Sequence, residues 1–527
     1  MDPTPQVQEE APRVIGPTAA LTVVAGSMLG VGIFLYPPQM ASELHSAVAL
    51  IAMVLLGGVF ALGGSVACGE LGAMMPKAGG DYVFQRAAFG PSVAFGSGWV
   101  LYAAIFAGSN ASLAVAVFQY QIGSLLGVDL TVDLGFGLSW AQIGAIGIIL
   151  LFTLINDLGA RFSAGTQTIL TLTPIALLTV LSLVILVAQP DATAAPVAEK
   201  VGATELTLSG LMASFLYVNF IFSGWINIIY VAAEVKDPGR NIPRSMIGAT
   251  FGVTGLYLLL IFAFLAVLGF NGLAALAPTW TDAGSGVAAA LGSDWLKVVV
   301  LLVIAVAILT SVNATVLAGG RVGYAMARDG AFLAAVGKLS KTRKTPSASL
   351  WFLALIAIAF VATGTFESIT KMASIAMFVT GGLTVLAHFV LRRKQPALAR
   401  PYRATLHPWL PGLYLLLAAV AIVIQVRDAL TGKGDDAWYP LLGVGILAVA
   451  WIGHLIYRRL WKNAAMVAVL FFTAGGVMGY TDPSPPPARA HGSESPDEGA
   501  RGRLEPTTDH PHEPLNEPRN DVERSTP

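Results

Sequence analysis

The sequence has little cysteine and little charge. It holds one cysteine, Cys68, in 527 residues, and 12% of its residues are charged while 55% are hydrophobic. A single cysteine excludes an internal disulfide framework and a cysteine-ligated metal cluster. So small a charged fraction, with a mean hydropathy of +0.70, is typical of a chain whose helices lie in lipid. We therefore expect an all-α integral membrane protein that crosses the bilayer many times.

Charge is also nearly absent from the long apolar stretches. A helix needs about 20 apolar residues to cross a bilayer, and the stretches are about that long. The charged residues lie mostly in the connections between them. The pattern predicts about 12 membrane-spanning helices, near residues 14–40, 46–69, 90–120, 141–156, 163–188, 207–233, 245–270, 297–320, 349–363, 368–391, 407–426 and 439–457.

The two ends of the chain differ from this apolar body. Alternate connections hold roughly 20 Lys and Arg, against about 5 in the other set, which predicts that the tail 1–13 is cytoplasmic. We also expect the protein to lie in the cell (inner or plasma) membrane. Residues 461–480 are apolar but weakened by glycine, and predict either a thirteenth span or an interfacial segment. Residues 481–527 are rich in Pro, Glu, Arg and Ser and predict a disordered tail. That tail is external if 461–480 crosses the membrane and cytoplasmic if it does not.

A glycine-rich break interrupts the first stretch, at Gly26-Ser27-Met28-Leu29-Gly30-Val31-Gly32-Ile33-Phe34. Each glycine in a helix interior costs roughly 1 kcal/mol relative to alanine, so helix stability does not explain these residues. Backbone groups freed at membrane depth need a buried or watery partner, which makes an interrupted span typical of a ligand site. The alternative interpretation is close helix packing, because Gly26 and Gly30 also form a GxxxG pattern.

A second break lies in the sixth stretch, at Phe220-Ile221-Phe222-Ser223-Gly224-Trp225-Ile226-Asn227. Corresponding breaks in two halves of inverted topology indicate a transporter site. Unwinding frees N–H groups of residues 28–32, which suit a carboxylate, and carbonyls of residues 220–224, which suit an ammonium group. We therefore expect a zwitterionic ligand, and the lack of charge within the stretches predicts that its side chain is neutral.

Several motifs together resemble the amino acid–polyamine–organocation (APC) superfamily of secondary transporters. The residues Gly26 to Phe34 are similar to its first-helix motif. Three further stretches agree in order and spacing, namely Gly69 to Pro91, Phe222 to Arg244 and Asn313 to Gly330. The resemblance covers residues 14 to about 460 and leaves both tails outside.

The resemblance implies the leucine-transporter-type inverted-repeat fold, with broken helices 1 and 6. Its repeats would be 14–188 and 207–391, followed by two more spans in 405–460. It also implies amino acid transport by alternating access. The substrate carboxylate would meet the backbone of Ser27, Leu29, Gly30, Val31 and Gly32, and the amino group would meet the carbonyls of Phe220, Ile221, Phe222 and Ser223. Either Phe220 or Phe222 would gate the external path, and Trp225 also flanks the site, although ordinary packing explains any single ring equally well.

Two departures from the superfamily pattern bear on substrate binding and on ion coupling. Val31 stands where many members have serine, so backbone contacts must bind the carboxylate. Many proton-coupled or exchanging members have a lysine in the fifth helix, and this chain has none near Thr171 to Pro174, which weakens proton symport. Hydroxyl oxygens of Thr310 and Ser311, with Thr171, are candidate Na⁺ ligands. Symport with Na⁺ or H⁺ and uncoupled exchange all stay open.

Other functions fit the sequence less well. A carrier of polyamines or cationic amino acids would need a carboxylate near the vestibule, such as Glu43. A non-transporting amino acid sensor on the same fold would need a signalling attachment. No pair of carboxylates or nucleophile–base arrangement lies within the stretches, so we expect no enzyme. We also expect no cofactor, no bound metal and no nucleic acid partner, and the oligomeric state stays open.

Overall fold

The computed structural model describes residues 11–135, 137–188, 206–363, 366–431, 445, 451 and 452. Over these ranges the chain is helical and forms no strand, apart from isolated bridges such as Ile15 with Val235. The predicted tail 481–527, the segment 461–480 and nearly all of the stretch 439–457 lie outside the described residues. The described part therefore contains the first eleven of the predicted spans.

Nine helices of the described part are long and apolar enough to cross a membrane, and a bent helix pair makes ten. The shorter helix Ser347–Thr363 occupies the ninth predicted position. We number the spans from 1 to 11 as Pro17–Met28 with Gly32–Leu44, Ala47–Met74, Pro91–Leu126, Trp140–Asp157, Ala160–Ala188, Leu208–Glu234, Pro238–Ala274, Asp294–Arg328, Ser347–Thr363, Phe366–Lys394 and Trp409–Leu430. The prediction of an all-α, multi-pass membrane protein is confirmed.

Polar side chains mark where several spans begin. Ser46 Oγ accepts a hydrogen bond from Ala49 N at 3.3 Å, and Thr207 Oγ1 accepts one from Gly210 N at 3.1 Å. Ser139 begins span 4 with a capping box. Such caps satisfy the N–H groups that the first helical turn leaves free. The chain thus changes from loop to helix where Ser or Thr precedes an apolar run.

The spans differ in how far neighbouring helices cover them. Span 3 is 83% buried and span 6 is 72% buried over their most apolar windows, whereas spans 5 and 11 are 28% buried. A helix that is apolar on all sides and also buried must have protein neighbours all round. Spans 3 and 6 therefore lie in the middle of the bundle, with the two halves of span 1 and span 8 packed against span 6.

A short helix, Asp81–Phe89, connects spans 2 and 3 and packs against span 10. Span 3 then begins after Gly90 and contains two π-helical stretches, Val100–Phe106 and Val117–Ile122. Wider π turns inside an α-helix are frequent at functional sites because they displace side chains from the regular helical positions. The connecting helix and the first π stretch both reach the centre of the bundle.

Candidate functional site

Span 1 is interrupted between Met28 and Gly32, and its two halves meet at 40°. Leu29 N still donates to Ala25 O at 3.0 Å, but Gly30 N donates to Met28 O at 2.9 Å, which closes a tight turn. Ser311 Oγ on span 8 lies 3.0 Å from Gly26 O and 2.9 Å from Leu29 O. The predicted break is confirmed, and a hydroxyl from another helix bonds the carbonyls that it frees.

Span 6 changes at Phe222 from an α-helix ending at Ile221 to a 3₁₀ helix over Ser223–Glu234. At Gly224, a Cβ would lie 2.2 Å from the carbonyl carbon of Ser27. At Gly32, a Cβ would lie 2.8 Å from Cγ2 of Ile221. Both positions need glycine because the two breaks contact each other directly. Glycine therefore allows the two spans to pack closely at the same place where their helices are interrupted.

Tyr257 of span 7 joins the two breaks. Its hydroxyl lies 2.5 Å from Met28 O and 2.9 Å from Ile221 O, the last carbonyls of the first half of each broken span. Tyr257 was not predicted from the sequence. A tyrosine in an apolar stretch without a neighbouring break carries no local signal, and only the packing of span 7 reveals its role.

A cavity of about 100 Å³ lies between the two breaks. Eight of the predicted substrate residues line it, namely Ser27, Gly30, Val31, Gly32, Phe220, Ile221, Ser223 and Trp225. Leu29 and Phe222 are buried beside it, and the ring of Phe222 packs edge-to-face against Tyr257 with centroids 5.1 Å apart. The structure thus brings most of the predicted site together and separates Phe220, at the cavity, from Phe222.

Aromatic rings cover one end of the cavity. Phe220 meets Tyr36 edge-to-face at 5.4 Å, and Tyr36 stacks on Tyr217 at 4.9 Å. Trp280, in the connection between spans 7 and 8, contacts Tyr36 at 6.5 Å. We call these four side chains the aromatic lid. Tyr36, Tyr217 and Trp280 were not predicted, because they lie outside the broken segments.

A carboxyl group lies at the cavity wall on the side of Tyr230. Asp81 is 2% exposed and lines the cavity, and Tyr230 Oη donates to its Oδ2 at 2.7 Å. Its Oδ1 accepts no hydrogen bond from any residue that the structure describes. The apolar stretches do lack charge in their interior, but the connecting helix carries Asp81 to the cavity. The absence of charge from the stretches is therefore an incomplete guide to the charge at the cavity.

The predicted ion ligands occupy a junction of spans 1, 5 and 8 near Gly26. A Cβ on Gly26 would lie 2.2 Å from Thr171 Oγ1, 2.4 Å from Gln167 Nε2 and 2.5 Å from the Thr310 methyl group. The hydroxyl of Thr310 is turned away and bonds to Leu170 O at 2.7 Å. Thr171 and Ser311 therefore place hydroxyl oxygens against the first span, whereas Thr310 presents its methyl group and Gln167 adds an amide nitrogen.

Gln167 links this junction to a chain of neutral side chains. Its Oε1 accepts from Asn313 Nδ2 at 2.7 Å, and Asn156 Nδ2 donates to Asn313 Oδ1 at 2.9 Å. Ser163 Oγ donates to Asn156 Oδ1 at 2.7 Å. All four side chains are fully buried. Gln167 and Asn156 were missed because an isolated amide in an apolar stretch does not show which helix it faces.

Ion pairs and backbone bonds tie the helix ends at the face that carries the basic connections, which we call the basic face. Glu234, at the end of span 6, forms a buried pair with Arg321 of span 8, with 2.9 Å between Oε1 and Nε. Glu234 O also accepts from Ile15 N at 2.9 Å. Arg86 of the connecting helix pairs with Asp329. The cavity is thus covered by the aromatic lid at one end and by these contacts at the other.

Comparison with known proteins agrees with this architecture. A model of the amino acid permease family matches residues 15–479. The chain is 24% identical over 451 residues to the b(0,+)-type amino acid transporter 1 of Mus musculus, covering 84% of this chain and 88% of the relative. It is 27% identical over 448 residues to the large neutral amino acids transporter small subunit 2 of Mus musculus (83% and 81% coverage). It is 26% identical over 412 residues to the serine/threonine exchanger SteT of Bacillus subtilis (76% and 88%). The match extends past residue 460, where the resemblance was expected to end.

Proposed function

This chain belongs to the amino acid permease family, and we propose that it is a secondary transporter of neutral amino acids that works by alternating access. The observation that carries the proposal is a cavity lined by the breaks of both spans 1 and 6. Freed backbone N–H groups and carbonyls then face the same small volume, as a zwitterion requires. Because both ends of the cavity are covered, a substrate enters and leaves only if the two ends open in turn.

Backbone groups would make most of the contacts to the substrate. The carboxylate would bind at the N–H groups of Val31 and Gly32, at the start of the second half of span 1, because the N–H of Gly30 already donates to Met28 O. The ammonium group would bind at the carbonyls of residues 220–223. The hydroxyl of Ser27 donates to Val23 O at 2.6 Å and is already used within its own helix. Phe220, in the aromatic lid, would be the gating ring.

The size and lining of the cavity support a small, uncharged side chain. Pockets for drug-sized ligands occupy about 300–1,000 Å³, well above the roughly 100 Å³ found here. Apolar side chains of Ile105, Leu113 and Met377 face the volume beside Ser109 and Thr380. Asp81 lies toward the basic face.

Sodium-independent exchange fits the junction of spans 1, 5 and 8 best. Na⁺ prefers a shell of oxygen ligands, whereas the Thr171 hydroxyl shares the space beside Gly26 with the Gln167 amide nitrogen and the Thr310 methyl group. The hydroxyls of Thr171 and Ser311 already donate to carbonyls of span 1. The Bacillus subtilis relative is named as an exchanger, which points the same way.

The proposed arrangement in the membrane follows from the sequence. The repeats would be 14–188 and 207–391, related by inversion, with the basic face and the N-terminus in the cytoplasm. The protein would lie in the cell membrane. Surface labelling of single cysteines, placed in the connection between spans 7 and 8 and at residues 338–344, would test this orientation.

Exchange in proteoliposomes tests the function directly. Vesicles loaded with unlabelled alanine, serine or leucine should take up the same labelled amino acid much faster than empty vesicles, with choline in place of Na⁺. Uptake that needs Na⁺, or that proceeds equally in empty vesicles, would contradict exchange. Uptake of arginine or a polyamine without uptake of the neutral amino acids would overturn the neutral substrate. Binding of amino acids without any counterflow would indicate a sensor.

A further inference from the structure

Asp81 lines the cavity on the side of the second half of span 6. Its partner Tyr230 follows Ser223 by seven residues in the second half of span 6. At 1.5–2.0 Å per residue, that is roughly 10–14 Å along the helix axis. The second half of span 6 runs from the break to Glu234 at the basic face. Asp81 therefore lies on the path from the cavity to the basic face.

The described surroundings of Asp81 provide no cationic side chain that balances a negative charge on it. Among the described residues it forms no ion pair, and its hydrogen bond comes from the neutral hydroxyl of Tyr230. Arg86, on the same connecting helix, is paired with Asp329. A buried carboxylate without a cationic partner is costly. The closed site therefore binds a proton on this carboxyl more tightly than an open, hydrated site does.

The other groups packed around Asp81 are uncharged near neutral pH. Tyr230 on span 6, Cys68 on span 2 and Tyr414 on span 11 are the titratable side chains that interact with it electrostatically, and thiols and phenols are neutral at pH 7. On span 10, the Thr384 hydroxyl donates to Thr380 O at 3.1 Å. Any change of charge in this part of the cavity therefore belongs to Asp81.

We propose that Asp81 is a proton-binding site, which holds a proton while the cavity is closed toward the basic face and releases it to water when that face opens. The inference rests on the proposed alternating access, because opening is what hydrates the carboxyl. The hydrogen bond from Tyr230 joins the connecting helix to span 6, so the two elements must separate there when the path opens. Proton release and opening are then one event.

The sign of the pH effect follows from the pKa of the closed state. Burial raises the pKa of Asp81 to about 6, and the hydrogen bond from Tyr230, together with the nearby hydroxyl of Thr384, opposes that rise. Hydration on opening returns the pKa toward about 3.9. The closed state therefore binds the proton more tightly. Its extra stability is complete below about pH 4 and is lost as the pH rises through about 6.

Exchange rates across pH test the proton site. Between pH 8 and pH 5 the wild-type rate should fall below a midpoint near 6, by up to about tenfold per pH unit where opening limits turnover. Neutral amino acids stay zwitterionic over this range, so the substrate does not change. Asp81→Asn, which is permanently uncharged, should be slow and nearly independent of pH. If Asp81→Asn retains the wild-type pH profile, the proposal is wrong.

Tyr230→Phe provides the sharper variant. The Tyr230 hydrogen bond lowers the pKa of Asp81, so its removal should move the midpoint to higher pH. Tyr102→Phe is the matched control, because Tyr102 is also buried and its hydroxyl donates to Ser349 O at 2.6 Å, away from the cavity. A shift in Tyr230→Phe alone supports the site. No shift, or an equal shift in both variants, contradicts it.

Infrared spectroscopy of the purified protein separates this proposal from the transport function. The difference spectrum between wild type and Asp81→Asn should show a carboxylic acid C=O band at pH 5 that disappears with a midpoint near 6. This readout does not depend on turnover. Absence of the band at pH 5 overturns the proton site. Presence of the band without amino acid exchange retains the proton site and removes the transport function.

Discussion

Two buried polar regions, one beside the break in span 1 and one at the inner end of the cavity, differ in how their polar atoms are satisfied. At the junction of spans 1, 5 and 8, the amides of Gln167 and Asn313 bond to each other at 2.7 Å, and Thr171 bonds to Thr22 O at 3.2 Å. At the inner end of the cavity, Asp81 accepts a bond from Tyr230, and its Oδ1 accepts none from a described residue.

The difference distinguishes a region that we expect to stay fixed during transport from one that we expect to move. A fully satisfied neutral network is stable in one arrangement, because each displaced group would lose a partner in a medium of low dielectric constant. The carboxyl group of Asp81 has an acceptor oxygen without a donor among the described residues. Water would stabilise it when the cavity opens, so both the closed and the open state are accessible to it. We therefore expect the junction to hold spans 1, 5 and 8 together throughout the cycle, while the contacts of Asp81 change. Four substitutions test this contrast and the breaks on which it depends.

Gly30→Leu should have the largest effect, because it fills the cavity side of the first break. A Cβ at Gly30 lies 3.3 Å from Ser311 Oγ and 3.7 Å from Leu113 Cδ2, so the added side chain extends among the substrate-facing groups. We expect exchange to fall by at least about 100-fold in protein that still inserts and purifies. Val31→Ser is the control and should retain transport. Normal exchange by Gly30→Leu would remove the break from the substrate site.

Gln167→Leu should make the folded protein less stable, while exchange should stay independent of Na⁺. It leaves Asn313 Nδ2 without its 2.7 Å acceptor and should lower the free energy of unfolding by about 1–3 kcal/mol. Denaturant-induced unfolding of the detergent-solubilised protein, once in NaCl and once in choline chloride, measures this free energy. Thr173→Val, on the exposed side of the same span, should change little. A wild-type protein stabilised by NaCl relative to choline chloride would show instead that the junction binds Na⁺.

Tyr257→Phe should have a moderate effect on transport, because it removes the hydroxyl that joins the two breaks at Met28 O and Ile221 O. One net hydrogen bond contributes about 0.5–1.5 kcal/mol, which corresponds to a roughly 2- to 12-fold slower exchange. The pH midpoint should stay at the wild-type value, since Tyr257 does not contact Asp81. A displaced midpoint would mean that the break and the carboxyl are coupled directly.

Thr384→Val should have the smallest effect. The Thr384 hydroxyl lowers the pKa of Asp81 less than Tyr230 does. We expect the midpoint of the pH–rate profile to rise, but by less than in Tyr230→Phe. Exchange rates in proteoliposomes between pH 5 and pH 8 measure this shift of the midpoint. A larger shift than that of Tyr230→Phe would assign the main hydrogen bond of Asp81 to span 10.

The sequence by itself determined the class of the protein, the first eleven spans that the structure describes and the position of both breaks. These are local properties: the length of an apolar run, a serine or threonine before it, and glycine within it decide where a helix begins, ends or is interrupted. The match to the amino acid permease family agrees with the resemblance that the same motifs indicated.

Only the tertiary structure decided which side chains meet at the cavity. Phe220 and Phe222 are two residues apart and face different neighbours, so the motif could not separate them. Asp81 precedes span 3 in the chain, and Gln167 and Tyr257 lie in apolar stretches without breaks. Their positions depend on how distant helices pack, because a buried polar group is costly until its partner arrives from another element. Those partners are far apart in the sequence, and no local pattern records them.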